Sequence, residues 1–346
     1  MATNGKTASG KQLAWVFDLN KCIGCQTCSV ACKVLWNEGE AGTEYQWWMT
    51  VNTQPGKGTP KDWETMGGGR DKDGKLQLGK VPTNDEFGGG WDYNYDEVLH
   101  GGKGRDVHLQ KIAGSKDWGP NWDEDEGGGT WPNAYFFYLP RLCNHCTDAP
   151  CIEACPEGAL FKDEEFGLVL RNEDTCQGNQ KCSAACPYKK IYFNEVRGVS
   201  QQCIGCFPRI EKSVAPACVR QCPGRAVFIG FMDDETSLVH RFVNEWKVAL
   251  PLHEEFGTKP NVFYVPPLAP APLNADGSIN ESGDRIPPEY LESLFGPRVH
   301  DALSSLKEEM AKKRRGEGSE VMDALIIYEW KTALGPFARD PAEITW

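Results

Sequence analysis

The sequence contains fifteen cysteines, and every one belongs to a group. Cys22, Cys25, Cys28 and Cys32 follow C-x2-C-x2-C-x3-C. Cys143, Cys146, Cys151 and Cys155 follow C-x2-C-x4-C-x3-C, and Cys203, Cys206, Cys218 and Cys222 follow C-x2-C-x11-C-x3-C. The remaining group is one member short: it keeps Cys176, Cys182 and Cys186, with Asn179 where the first spacing has a cysteine. In three of the groups a proline follows the last cysteine, at Pro156, Pro187 and Pro223.

Three chemistries use cysteines in such numbers. Disulfide frameworks belong mainly to small secreted domains, and this chain is long with its cysteines set two or three residues apart. Zinc sites take two separated C-x2-C pairs, not triplets with a fourth cysteine and a proline. Iron–sulfur clusters account for the pattern. A loop with a thiolate at every third residue wraps one cubane, and the fourth cysteine opens the next segment and ligates the neighbouring cluster. The short group then has three thiolates available, which suits a [3Fe-4S] cluster. A four-iron cluster with Asn179 or water on the odd iron, and an empty site, are the alternatives. A lost site should have shed its other cysteines, and these three remain. A three-iron cluster generally sits at a higher potential than four-iron relatives, so it would be the electron sink at one end of a chain.

The elements that must hold these loops read as α+β. LAWVFDLNKC is a strand running into the first group, and EGALFKDEEFGLVLRNEDTC is a strand, a turn at Gly167 and a second strand. YKKIYFNEVRGVSQQC repeats that passage before the last group. Strand, cysteine loop, short helix and strand make one ferredoxin half, and four halves make two ferredoxin-like modules. Between Cys32 and Cys143 lies a Gly-rich insertion holding eight of the twelve tryptophans: Trp36, Trp47, Trp48, Trp63, Trp91, Trp118, Trp122 and Trp131. These residues suit both a docking surface and local core. From about residue 231 a helical stretch, the proline-rich NVFYVPPLAPAPLN and further helices predict a tail wrapped on a partner.

Composition narrows the partners. A net charge of -12 and a pI near 5.1 oppose nucleic-acid binding. The one basic run, Lys312–Arg315, reads as the solvated end of a helix. Neither the opening MATNGKTASGKQ nor any later stretch has the apolar run of a secretory signal or of a membrane span. No Ser–His–acid group or carboxylate pair stands out, and GGKGRD at 101–106 lacks the strand–helix context of a dinucleotide loop. His145, inside CNHC, is expected to hydrogen-bond near a cluster, while Tyr138 and Arg209 are expected to be structural.

FDLNKCIGCQTCSVACK, WGPNWDEDEGGG, FFYLPRLCNHCTDAPC, CPYKKIYFN, RIEKSVAPACVRQCPGR and WKVALPLHEEFGT, within about residues 11 to 335, resemble a known group. It is the iron–sulfur (beta) subunit of complex molybdenum oxidoreductases of the DMSO reductase superfamily. The branch is that of nitrate, perchlorate, dimethylsulfide and ethylbenzene enzymes. The resemblance implies a non-catalytic electron-transfer subunit with three [4Fe-4S] clusters and one [3Fe-4S] cluster. The first cluster would take Cys22, Cys25, Cys28 and Cys222, and the second Cys32, Cys203, Cys206 and Cys218. The third would take Cys143, Cys146, Cys151 and Cys186, and the three-iron cluster Cys155, Cys176 and Cys182. In the family the slot at 179 often holds another non-cysteine residue.

The same resemblance divides the chain into a first module (11–32 plus 196–230), an insertion (33–135), a second module (136–195) and a C-terminal interface region (231–346). It implies a catalytic alpha subunit with a molybdenum bis-pterin guanine dinucleotide cofactor beside the first cluster, and a haem b gamma subunit beside the last. It also implies a periplasmic location reached with a twin-arginine-signal partner, the cytoplasm being the alternative. A zinc-stabilised scaffold and a self-contained reductase are the competing functions. Brown colour distinguishes iron from zinc, and a self-contained reductase needs a cofactor pocket.

Overall fold

The computed structural model describes residues 11–90, 92–101, 107–108, 110, 112, 118–121 and 126–344. Trp91, Trp122, the Trp118 side chain, most of GGKGRD and the first ten residues lie outside them. In chain order the strands are β1 (Leu13–Asp18), β2 (Thr50–Gln54), β3 (Gly88–Gly90), β4 (Trp118–Pro120), β5 (Phe137–Arg141) and β6 (Leu160–Lys162). They continue with β7 (Val169–Arg171), β8 (Ile191–Asn194), β9 (Val199–Gln202), β10 (Val227–Phe231), β11 (Leu250–Pro251) and β12 (Val262–Val265).

Each cysteine loop leaves the end of a strand. The first follows β1, the second β5, the third β7 and the fourth β9. Short helices follow the loops, at Thr27–Trp36, Pro150–Glu153, Lys181–Ala185 and, in the last loop, Phe207–Ile210 and Ala217–Arg220. Hairpins β6–β7 and β8–β9 join successive loops. The turn at Gly167 needs the left-handed backbone that glycine supplies (φ 68°).

β1 is buried along its whole length. Leu13, Trp15 and Phe17 enter one core cluster, Ala14 and Val16 the other, as the two-residue period of a strand dictates. Burying a side chain such as Leu13, Val16 or Phe17 contributes about 1.5–3 kcal/mol. β1 pairs antiparallel with β10, Leu13 opposite Phe231, and parallel with β12, Trp15 opposite Val262.

The structure corrects the expected tail: β12 is a buried strand between β1 and β11, so this part of the C-terminal region is core. Its VFYV pattern carries that signal, but the prolines after it dominate the local reading. The insertion also joins a module. β2 pairs with β5 in the strand leading to the second loop, closing an edge that would otherwise lack a partner. Trp47, Trp48 and Trp63 are core, whereas Trp131 is 89% exposed.

Candidate metal centre

The four loops share one backbone device. Two residues past the first cysteine the chain turns left-handed, at Gly24 (φ 65°), His145 (φ 42°), Gly178 (φ 68°) and Gly205 (φ 63°). The turn swings that residue's N–H back onto the first sulfur, at 3.5 Å from His145 to Cys143 and 3.4 Å from Gly205 to Cys203. Backbone concavities of this kind favour negative charge. A Cβ at Gly24 would stand 2.5 Å from the Tyr138 ring, and one at Gly178 2.5 Å from the Gly198 carbonyl oxygen. The loop holding Asn179 therefore has the same turn as the complete ones.

Cysteine pairs four residues apart lie about one helical turn from each other. Cys28 and Cys32 do so in the helix Thr27–Trp36, which sets Cys28 within reach of Cys22, Cys222 and Cys25 and Cys32 within reach of Cys203 and Cys206. Burial pushes the Cys28 thiol up to about 12, with Cys22, Cys222 and Cys25 adding to it. Burial likewise brings Cys22 to about 11, against the Gly24 N–H, with Cys222 and Cys25 adding again. Cys32 is raised by burial, then by Cys203 and Cys206, and Cys218 by burial, then by Cys206, Cys32 and Cys203. Burial brings Cys143 to about 12, with Cys186 next to it. Cys146 and Cys151 are raised by burial and by Cys143 and Cys186.

The short loop is organised differently. Arg171 Nη1 lies 3.8 Å from Cys176 Sγ and 3.9 Å from Cys182 Sγ. Asn179 donates through Nδ2 to the Glu157 carboxylate, whose Oε2 is 3.8 Å from Cys155 Sγ. Burial raises the Cys176 thiol, but the Ser200 and Gly178 N–H groups and Arg171 outweigh it and hold it below the usual value.

Neighbouring groups lie within electrostatic reach of one another in sequence. Cys28 acts on Cys32 and Cys218, Cys143 on Cys203, and Cys182 on Cys151. The middle is deeply buried, with Cys32, Cys146, Cys151, Cys203, Cys206 and Cys218 all inside. The ends are nearer solvent: Cys25 is exposed, and Cys155 and Cys176 are partly exposed.

These donors fit iron–sulfur groups. They are soft thiols throughout, and burial keeps most of them protonated until a cationic group displaces the protons. Among the described residues no three His, Cys, Asp or Glu side chains converge on a point that one ion could occupy. His145 supports the fit: its Nδ1 accepts from the Val169 N–H at 3.0 Å, so Nε2 carries the hydrogen. That N–H is buried without an acceptor among the described residues. The ring stacks on Trp15 at 5.5 Å.

Sequence reasoning missed the cations around the thiols. Lys162 on β6, Arg171 on β7 and Lys190 just before β8 are the basic residues near the thiols, and Trp36 Nε1 donates to Cys206 Sγ at 3.1 Å. Lys190 left a signal, because lysines 189 and 190 directly precede the apolar strand β8. Tyr138 and Arg209 have structural contacts: Tyr138 closes over Gly24, and Arg209 Nε donates to Ala215 O at 3.0 Å. The basic run is engaged in ion pairs, Lys312 with Glu308 and Glu309, Lys313 with Asp323 and Arg315 with Glu317.

Known proteins resemble this chain over nearly its full length. The family described as a 4Fe-4S dicluster domain matches residues 134–232. The selenate reductase subunit beta of Thauera selenatis is 52% identical over 330 residues, covering 94% of this chain and 99% of its own. The chlorate reductase subunit beta of Ideonella dechloratans is 51% identical, with 94% and 99% covered. The dimethylsulfide dehydrogenase subunit beta of Rhodovulum sulfidophilum is 50% identical over 318 residues, with 92% and 96% covered.

Proposed function

The chain belongs to the iron–sulfur beta subunits of the complex molybdenum oxidoreductases, and we propose from this that its four cysteine sets form a single electron wire. As a member it is an electron-transfer subunit, not the catalytic one, and its partner is a molybdenum-containing alpha subunit. The proposed sets are Cys22, Cys25, Cys28 and Cys222, then Cys32, Cys203, Cys206 and Cys218, then Cys143, Cys146, Cys151 and Cys186. Cys155, Cys176 and Cys182 form the last, three-iron set. When bound, such clusters accept and release single electrons. The chain's own work is to fix the spacing of the sets, exclude water from the middle ones and direct N–H groups at sulfur.

The observation that carries this reading is the unbroken succession Cys28–Cys32, Cys203–Cys143 and Cys151–Cys182, buried in the middle and open at both ends. The module limits follow the same pairing, 11–32 with 196–230 and 136–195 between them, with the exposed parts of the insertion 33–135 and of the region 231–346 outside the core strand β12 serving as partner surfaces. A haem b subunit beyond the three-iron set, and export to the periplasm with a signal-bearing partner, complete the proposal. Among the described residues no helix is long and apolar enough to cross a membrane. Two reductase subunits and a dehydrogenase subunit match about equally well, so substrate and direction of flow belong to the alpha subunit.

Low-temperature EPR of the oxidised and reduced complex, with iron quantitation, tests the sets. A three-iron signal with about 15 irons per chain supports them. About 16 irons without that signal places a fourth cubane at Asn179 and removes the proposed high-potential end.

A further inference from the structure

We propose that Arg171 sets the potential of the three-iron set: its guanidinium is a fixed cation against Cys176 and Cys182 that favours the reduced form there. The inference rests on the ligand sets proposed above.

Arg171 ends β7, opposite Leu160, and the strand runs into the loop that carries Cys176. Its Nη1 lies 3.8 Å from Cys176 Sγ and 3.9 Å from Cys182 Sγ, and its Nη2 lies 3.9 Å from Cys182 Sγ. Nη2 also donates to Gln202 Oε1 at 2.9 Å. Gln202, on β9 and buried, is held in turn by its Nε2 donating to Val169 O at 3.2 Å. A buried amide thus fixes the guanidinium in place. Its Nε–H is buried without an acceptor among the described residues, which leaves one donor of the same plane for a group held by the thiols.

A guanidinium does not deprotonate in proteins, so the charge is permanent. It is also uncompensated by carboxylate. Among the described residues no Asp or Glu pairs with Arg171, and Glu173, two residues on, pairs with Arg197 at 2.6 Å instead. In the complete sets Cys143, Cys203, Cys222 and Cys206 take N–H groups from His145, Gly205, Ala226 and the Trp36 indole, all neutral donors. A neutral donor acts as a dipole, whereas the guanidinium acts as a full charge.

Cluster potentials follow net charge and the hydrogen bonds that sulfur receives. An electron added to a thiolate-held group adds negative charge beside Arg171, so the reduced form gains. Arg171 thereby acts together with the missing ligand at Asn179 in making this set the high-potential end.

The test is a dithionite and mediator titration of the anaerobically purified complex, following the oxidised three-iron EPR signal, with iron content measured on the same samples. Arg171→Gln is expected to shift the reduction equilibrium of that cluster at least tenfold towards the oxidised form, about 59 mV for a one-electron couple. The other three clusters should stay in place. Arg171→Lys is expected to lie closer to wild type, and Arg197→Gln, which removes a charge already paired with Glu40 and Glu173, to leave the potential unmoved. If Arg171→Gln does not assemble, Gln202→Leu replaces it. That variant frees the guanidinium from its anchor and should shift the same cluster in the same direction, at least twofold. An unmoved potential at full iron content overturns the proposal, as does an equal shift in Arg171→Lys, in Arg197→Gln or in all four clusters alike. A wild-type complex without the three-iron signal instead overturns the ligand sets, and that is read before any variant.

Discussion

The CIGC loop at residues 22–25 and the CQGN loop at residues 176–179 turn the same way. Each places a left-handed glycine, Gly24 or Gly178, before the second ligand slot, and each aims an N–H at the first sulfur. They differ in what surrounds the thiols. In the first loop burial and neighbouring thiols push Cys22 and Cys28 far up, and Cys25 fills the slot. In the third, Arg171 and backbone N–H groups hold Cys176 down, while Asn179 turns to Glu157. The backbone device is thus independent of the ligand count. It makes a concavity for an anionic group, and the two loops differ in the side chains that surround it.

The largest break expected in this comparison comes from a buried ligand. Cys203→Ser should lower the yield of assembled complex several-fold, because metal binding energy is also folding energy. Cys25→Ser, at the exposed rim, should cost less. Iron content and size-exclusion profiles of the two variants decide it, and equal losses would remove the distinction between buried and rim positions.

The next effect is in reactivity. Only the thiolate reacts with an alkylating agent, and a lower pKa means more thiolate at a given pH. In freshly iron-stripped protein at pH 8, Cys176, below the usual range, should react at least tenfold faster than Cys22, at about 11. Peptide mapping by mass spectrometry measures the ratio. Raising the pH towards 11 should close the gap as Cys22 ionises.

Asn179→Cys sharpens the comparison directly. The turn is already present, so the new thiol should convert the proposed three-iron site into a cubane with little loss of stability. Iron should rise by about one per chain and the oxidised three-iron EPR signal should disappear. Retention of that signal would mean that Arg171 or Glu157, not the missing thiol, limits the iron count.

The smallest effect belongs to Trp36→Phe, which removes the 3.1 Å N–H···S contact to Cys206 but keeps most of the ring. Loss of one such bond costs about 1 kcal/mol, and the second cluster should shift modestly to lower potential. Thermal unfolding and redox titration of the variant measure the two parts.

The sequence shows its cysteines plainly because ligand spacing is a local property. C-x2-C and C-x3-C fix how far successive thiols can stand apart, whatever the rest of the chain does. Gly24, Gly178 and Gly205 could be read as turns for the same reason, while His145 hid the same turn behind a side chain. The strands before each loop and the turn at Gly167 were equally legible, from short apolar runs ending in polar residues. The place of β12 was not, because a parallel partner more than two hundred residues from β1 leaves no local trace. Lys162 and Arg171 were hidden too, and Lys190 left only the faint signal of two lysines directly before an apolar strand: a basic side chain looks solvated in a sequence, and only the packing around it shows it to be buried. The sequence by itself therefore determined where the cysteines stand, how they are grouped and that the third group is one cysteine short. Which groups lie side by side, and which charges stand beside them, was decided by the tertiary structure, because electrostatic fields depend on distance and burial rather than on position along the chain.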